Sequence, residues 1–556
     1  MAARYWVGGS GTWNSSSTTN WSTTSGGASG ASVPTSADDV YFDANSGAGT
    51  VTTSPPISAL SINFTGFSGT FTGQSTINLY GNLTLAAGMT YSHQGNWLIR
   101  GNSTITSNGI SIWGVDIAYG FNATMADNMT LSGSNYFDGT TTREAGVLLM
   151  TSGNLSVAGY RLTCKRFQCG GTSSRTLNWG TNGVVELTAT DLNAIVLEAP
   201  NTNNFVLAGT GKFYRNQVSP AQRCRISFGS NDTPSGTLAS SFAPNFELVG
   251  NVNIQLYSHN FFNDFIAQSY TGNFEVVSPS TAANVHCLGN CLLPNNVSDL
   301  TKLIVNMRGT GQLSARASSL NACIINSGTS NQTTLTGPLL CVNELELRQG
   351  IFNANGWDVT AYRFTSSNTN TRELSFTGGA TFFTITGENV GGLLAWECTT
   401  TTNLTVTNGG SCTLIFTGSS TKTFAGGSKT YGAVRINNTG TLIVTGSNTI
   451  GTLAVNVRPA TISLADGSTQ TINIYQMDGV AGSLVTLNNA TGGTYANLYS
   501  PNPNTAVTFD YVNISKVNAT MASNSAFYYQ NGTLGTSPTM PAGWNINPRG
   551  ALDWFV

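Results

Sequence analysis

Between residues 76 and 113 the chain reads TINLYGNLTL, MTYSHQGNWLIRG and NSTITSNGISIW, short bursts in which apolar and polar positions alternate and which Gly, Asn and Ser interrupt. A period of two is the mark of a strand with one face turned inward. Comparable bursts return at 413–418 (TLIFTG), 441–446 (TLIVTG) and 471–475 (TINIY). Strands are therefore expected roughly every ten to fifteen residues along the chain. A sandwich or a closed barrel holds only a limited number of such strands, whereas a coil accommodates more by adding turns. A chain of 556 residues exceeds what one conventional core supports. The predicted fold is all-β, a parallel β-helix or β-solenoid with an N-terminal Trp-rich cap and a distinct C-terminal β module.

Self-similarity supports the repeat reading. The segment 153–179, GNLSVAGYRLTCKRFQCGGTSSRTLNW, aligns without a gap to 350–376, GIFNANGWDVTAYRFTSSNTNTRELSF. Gly153 pairs with Gly350, Gly159 with Gly356, Tyr160 with Trp357, Arg166-Phe167 with Arg363-Phe364, Thr172 with Thr369 and Arg175 with Arg372. Each copy is expected to open with a strand, make a Gly turn, and continue through a second strand into a Ser/Thr/Asn-rich loop. The ends differ from this body. Residues 1–45 concentrate Trp6, Trp13 and Trp21 and finish in Asp38-Asp39-Val40-Tyr41-Phe42, read as a cap on the exposed cross-section followed by a first rung. Residues 46–490 form the solenoid body. Residues 491–556 mix Pro501, Pro503, Pro538, Pro541 and Pro548 with Tyr528, Tyr529, Trp544, Trp554 and Phe555, which marks a terminal module.

Composition narrows the function classes. Charged residues are only 9% and Gly numbers 63, so the usual surface of a helix is missing, while 40% apolar residues exclude simple disorder. Net charge is −2 with no run of Lys or Arg, which argues against binding nucleic acid through a basic face. No stretch has the length and apolarity of a membrane span or a secretory signal, so neither membrane insertion nor export by a signal is expected, and the Asn-x-Ser/Thr triplets are ascribed to composition. Nine Cys, from Cys164 to Cys412, make an odd and widely spaced set, read as buried thiols rather than a disulfide framework.

The opening YWVGGSGTWNSSSTTNWSTTSGGASGASVPTSADDVYFD (5–43) resembles the N-termini of a family of uncharacterised phage-encoded proteins rich in β-repeats, and LTCKRF (162–167) and RTLNW (175–179) are similar to that family's repeat segments. The resemblance implies a bacteriophage virion component exposed on the particle surface, assembled in the host cytoplasm. The expected role is a non-enzymatic fibre- or spike-like adhesin that contacts a host surface glycan or receptor beside other virion proteins. A polysaccharide depolymerase tailspike and a capsid decoration or head fibre protein are the alternatives. A homotrimer is expected by analogy with fibres. The family supplies no catalytic residues, cofactor or metal ligands.

Residue chemistry adds candidates rather than a site. Adjacent Asp38 and Asp39 point to opposite faces of a strand and cannot flank one bond, whereas Glu344 and Glu346 share a face, as paired carboxylates for glycoside hydrolysis would, and as an exposed strand face also would. His286-Cys287-x-x-x-Cys291 lacks the second ligand pair of a zinc site, and Cys164 and Cys169 are replaced by Ala361 and Ser366 in the second copy. GGSGTW (8–13) opens no helix and reads as turn chemistry, not a phosphate cradle. Trp97, Trp113, Tyr528, Tyr529 and Trp544 are candidates for sugar contact if exposed, with packing or capping as the competing role. No catalytic, cofactor or metal residue is assigned.

Overall fold

A computed structural model describes the chain apart from residues 56, 138–139, 192–193, 219–222, 230–242, 258, 277–281, 295–299, 316–318, 524–525, 536–540 and 547–556. It divides into two compact units, Met1–His286 and Cys287–Val556. Both are built of parallel strands, and helix among the described residues is confined to short 3-10 turns such as Ala44–Ser46 and Gly409–Ser411.

In the first unit the chain lays down three ladders, returning to each after about twenty residues. One ladder stacks Ile57–Ala59, Ile77–Leu79, Asn96–Ile99, Gly114–Ile117, Val147–Met150 and Arg166–Gln168, all parallel. A second stacks Asp39–Tyr41, Ile62–Asn63, Leu83–Thr84, Ser103–Thr106, Asn122–Met125 and Gly153–Ser156. The third begins with Gly11–Trp13, Thr50–Thr53, Thr70–Gly73 and Thr90–His93. This is the all-β parallel coil that the alternation calls for. The inward positions carry the core: Ile77, Trp97, Val115 and Leu148 occupy one in-register column, and all four are fully buried.

At the start of the first unit, Ala3–Trp6 pairs antiparallel with Trp21–Ser22 and parallel with Asp39–Tyr41. That arrangement gathers Trp6, Trp13 and Trp21, all buried, into edge-on contacts at 5.1 and 5.3 Å over Phe42, which stacks on Phe64 of the next turn at 4.6 Å. Three indoles thus cover the coil's first apolar cross-section.

The second unit repeats the construction. Thr381–Ile385, Cys412–Gly418, Thr430–Asn438, Thr449–Val455 and Thr469–Gln476 form one parallel ladder, and Trp396–Glu397, Lys422–Ala425, Thr441–Thr445, Ala460–Leu464 and Val485–Asn489 the neighbouring one. Beyond residue 491, Val512–Ser515 and Val517–Met521 keep the parallel register, while Ala506–Asp510, Ala526–Gln530 and Trp544–Ile546 make a three-stranded parallel sheet. Pro538, Pro548, Trp554 and Phe555 lie outside the described residues.

The internal match has a physical cause. Arg175 and Arg372 are both buried and both end in a fan of backbone carbonyls. Arg175 donates from Nε to Ser173 O (3.0 Å), from Nη1 to Cys169 O (2.6 Å) and from Nη2 to Asn201 O and Asn203 O (3.3 and 2.7 Å). Arg372 donates from Nε to Asn370 O (2.9 Å), from Nη1 to Ser366 O (2.5 Å) and from Nη2 to Thr400 O and Thr402 O (3.0 and 2.7 Å). On the following turn Asn204 and Asn403, both at φ +56°, donate from Nδ2 to Thr172 O and Thr369 O, each at 3.0 Å. Each copy is therefore one corner design, in which a guanidinium gathers carbonyls that the strand ladders leave over. Gly153 and Gly350, at φ +85° and +93°, let the strand partnered with that arginine approach closely, since a Cβ at Gly153 would stand 2.3 Å from Phe121 O.

Replacing Arg372 by Met strands four carbonyls and should cost about 3 kcal/mol, read as a lower urea midpoint of the transition followed by Trp357 and Trp396 fluorescence. Arg372→Lys should recover less than half, because an ammonium has three donors and no planar fork. A loss below about 1 kcal/mol for the Met variant would contradict the corner role.

Candidate ligand-binding groove

An open groove of about 720 Å³ lies in the first unit where the third ladder bends into the first. Its walls come from successive turns, at Thr52–Pro55, Gln74–Thr76 and Gln94–Asn96, with Trp113, Tyr136 and Arg143 on the remaining side. The last two residues arrive by an insertion. Where earlier turns spend about twenty residues, the step from Val115 to its register partner Leu148 takes more than thirty, and the excess forms an antiparallel hairpin, Tyr136–Phe137 with Thr142–Arg143.

The hairpin is moored at several points. Trp113 donates from Nε1 to Ser134 O (3.2 Å), and its indole packs against the Tyr136 ring at 5.7 Å. Tyr136 donates its hydroxyl to Gln74 O (3.3 Å), Ala145 N donates to Asn135 Oδ1 (2.8 Å), and Lys165 Nζ donates to Gly133 O (2.9 Å). On the opposite wall Gln74 Nε2 donates to Gln94 Oε1 across adjacent turns (3.1 Å). The lining is hydroxyl- and amide-rich, and among the described residues it contains no Asp or Glu and has Arg143 as its one charged residue.

Half-buried Tyr91 and buried His93 sit close to the groove. Tyr91 accepts from Trp97 Nε1 (2.9 Å), and burial pushes its phenol well above the ordinary value. His93 accepts from Gly95 N on Nδ1 (3.2 Å) and stacks on Phe71 at 5.3 Å. Burial holds its pKa down to about 4, the largest influence on it.

The candidates raised by the sequence are placed as follows. Trp97 is not an exposed sugar platform: it sits fully buried, on the same inward side of its strand as Ile99. Trp113 is 5% exposed and lines the groove beneath the hairpin instead of standing free. Trp544 packs on Phe509 and Phe527 at 5.3 Å each and donates from Nε1 to Val517 O (2.8 Å), while Tyr528 and Tyr529 are half-buried beside it. Glu344 and Glu346 do share a strand face, but each is engaged by an arginine, Arg363 at 2.8 Å and Arg348 at 2.6 Å. Asp38 is buried and accepts from Thr35 N (2.9 Å) and Thr35 Oγ1 (2.7 Å), a local turn contact.

His286 meets His259 at 3.1 Å and stacks on Phe261, and Cys287 and Cys291 are buried. All nine cysteines are buried thiols, with Cys169, Cys341 and Cys398 pushed up to about 12 by desolvation. Among the described residues no three His, Cys, Asp or Glu side chains converge as a metal site would require.

Sequence reasoning passed over the groove. Its one local signal is Asp138-Gly139 between Tyr136-Phe137 and Thr142-Arg143, a turn dipeptide between strand-forming pairs. Two further surface features repeat. Tyr160 and Trp357, equivalent in the matched segments, are 38% and 42% exposed. In the second unit the tips Val390–Leu393 and Val480–Ser483 close with the same reciprocal backbone pair, 3.1 and 2.9 Å, and each exposes its valine.

Comparison of the chain with protein-family models, curated proteins and solved structures gives no match in any of the three.

His93 sets a pH dependence. With a folded-state pKa near 4 against an ordinary 6.5, the unfolded chain takes up the proton first as pH falls. Stability is thus fully present above pH 6.5 and declines between 6.5 and 4, by about 3 kcal/mol at the limit. Thermal midpoints measured from pH 7.5 to 4 should fall less steeply in His93→Gln than in the parent chain, and parallel curves would contradict the assignment.

Proposed function

We propose that the protein is a non-enzymatic, fibre- or spike-like surface adhesin of a bacteriophage particle, and that the hairpin-lined groove is its contact with the host envelope. The observation that carries the contact role is the groove itself. After turns of about twenty residues, the step from Val115 to Leu148 adds a hairpin that walls one side of a polar cleft, and inserted loops on a rigid scaffold are where binding is commonly placed. The lining supports adhesion over cleavage, because glycoside hydrolysis ordinarily needs two carboxyl groups about one bond and, among the described residues, no acidic one lines the groove. The particle assignment rests on the resemblance of residues 5–43, and with it come the homotrimer and the neighbouring virion proteins.

A polysaccharide depolymerase is the second reading, favoured by one observation. Glu247 and Asp264 both line a separate cavity of about 470 Å³ in the first unit, together with Arg161 and Lys212. Glu247 is held there by Lys212. Shortened host glycan after incubation with the parent protein, and intact glycan with Glu247→Gln, would favour this reading over adhesion.

Under the adhesin reading, purified protein should bind host cells and compete with particles for adsorption. Tyr136→Ala should lower that binding at least tenfold with the fold intact, and the protein should appear in mass spectra of purified particles. Absence from particles, or cell binding indifferent to Tyr136, would contradict it.

A further inference from the structure

We propose that the groove takes a neutral, unbranched glycan laid along the coil axis, one sugar ring to each turn, held against the paired strands Tyr136–Phe137 and Thr142–Arg143. This deepens the adhesin reading and rests on it only for the identity of the groove as the contact surface.

Direction follows from construction. The walls are corners of successive turns, so their side chains repeat at the strand spacing of ~4.8 Å along the axis. A pyranose ring linked at opposite ends advances by about the same length, so a chain running along the groove meets equivalent groups ring after ring. A chain running across it would meet them once.

The ligand class follows from the groups on offer. Hydroxyls and carboxamides both donate and accept, as sugar hydroxyls do. The bond from Gln74 to Gln94 fixes both amides and leaves Gln74 Oε1 as an acceptor and Gln94 Nε2 as a donor, one turn apart. Thr72 and Thr76 line the groove beside them and add hydroxyls. Tyr136, held by Trp113 and by its bond to Gln74 O, offers a fixed ring for the C–H face of a sugar. Charge excludes a polyanion. An acidic polymer brings a carboxylate with every repeat, and among the described residues the lining has one cation, Arg143, so further carboxylates would be desolvated against amides with no further cation to compensate them.

The test is titration calorimetry on the full chain with α- and β-linked neutral hexose oligomers of two to six units, alongside uronic-acid oligomers of matched length. Affinity for at least one neutral series should rise to about three units and then level off, as a groove crossing three turns requires, and the uronic series should bind at least tenfold more weakly. Gln74→Ala and Gln94→Ala should each weaken binding about tenfold, and Tyr136→Ala more. Tyr136→Phe, which keeps the ring, should retain most of it. Gln74 lies at the surface, so its variant separates a binding defect from a folding defect. Equal or tighter uronic binding, no dependence on length, or indifference to Gln74 and Gln94 would overturn the inference. Absence of the protein from particles would overturn the particle role while leaving this binding result standing.

Discussion

Every turn of a coil built from parallel strands must hydrogen-bond to the turns on either side, and wherever the chain bends from one ladder to the next, carbonyls are left without a strand partner. Burying them unmet would cost more than the turn's apolar contacts return. The protein meets the constraint repeatedly and by different means. Arg175 and Arg372 gather four carbonyls each, Arg215 reaches Leu187 O and Ala189 O, and Lys422 reaches Thr386 O and Gly387 O. Asn side chains do the same at smaller scale, as where Asn108 Nδ2 reaches Leu85 O. The composition follows from this. A corner is served by Asn, Thr, Ser and an occasional buried cation, and little is left for surface charge to do.

Much of the fold was legible because alternation and coil geometry speak the same language. The period of two gave strand type and the inward face, and the gapless match of 153–179 to 350–376 identified a reused corner before its arginines could be seen closing it. The Trp-rich opening was legible for a similar reason: a coil's first turn exposes apolar surface, and large indoles cover it. Trp97 was open to misreading through its residue type, although in Asn96–Ile99 it shares the parity of Ile99 and so belongs inside.

The groove was not legible, and the cause is physical. Its walls meet only because residues about twenty apart stack in register, and nothing local in Gln74, Gln94 or Thr53 marks them as neighbours. Only the hairpin leaves a trace, as a turn signal in an overlong step. Exposure of Tyr160 and Trp357, and the duplicated tips at Val390 and Val480, likewise depend on which turn lies next to which.

All of these features descend from in-register stacking of consecutive turns, and that is open to direct measurement. Ser58 and Glu198 occupy one outward column of the first unit, joined through Asn78, Leu98, Asp116, Leu149 and Gln168. Six strand spacings separate them, about 29 Å along the axis. Spin labels placed at these two positions and read by double electron–electron resonance should give a narrow distribution near that distance. A short distance, as when the chain folds back into a sandwich, or a broad distribution without a peak near it, would contradict the coil and every site built upon it.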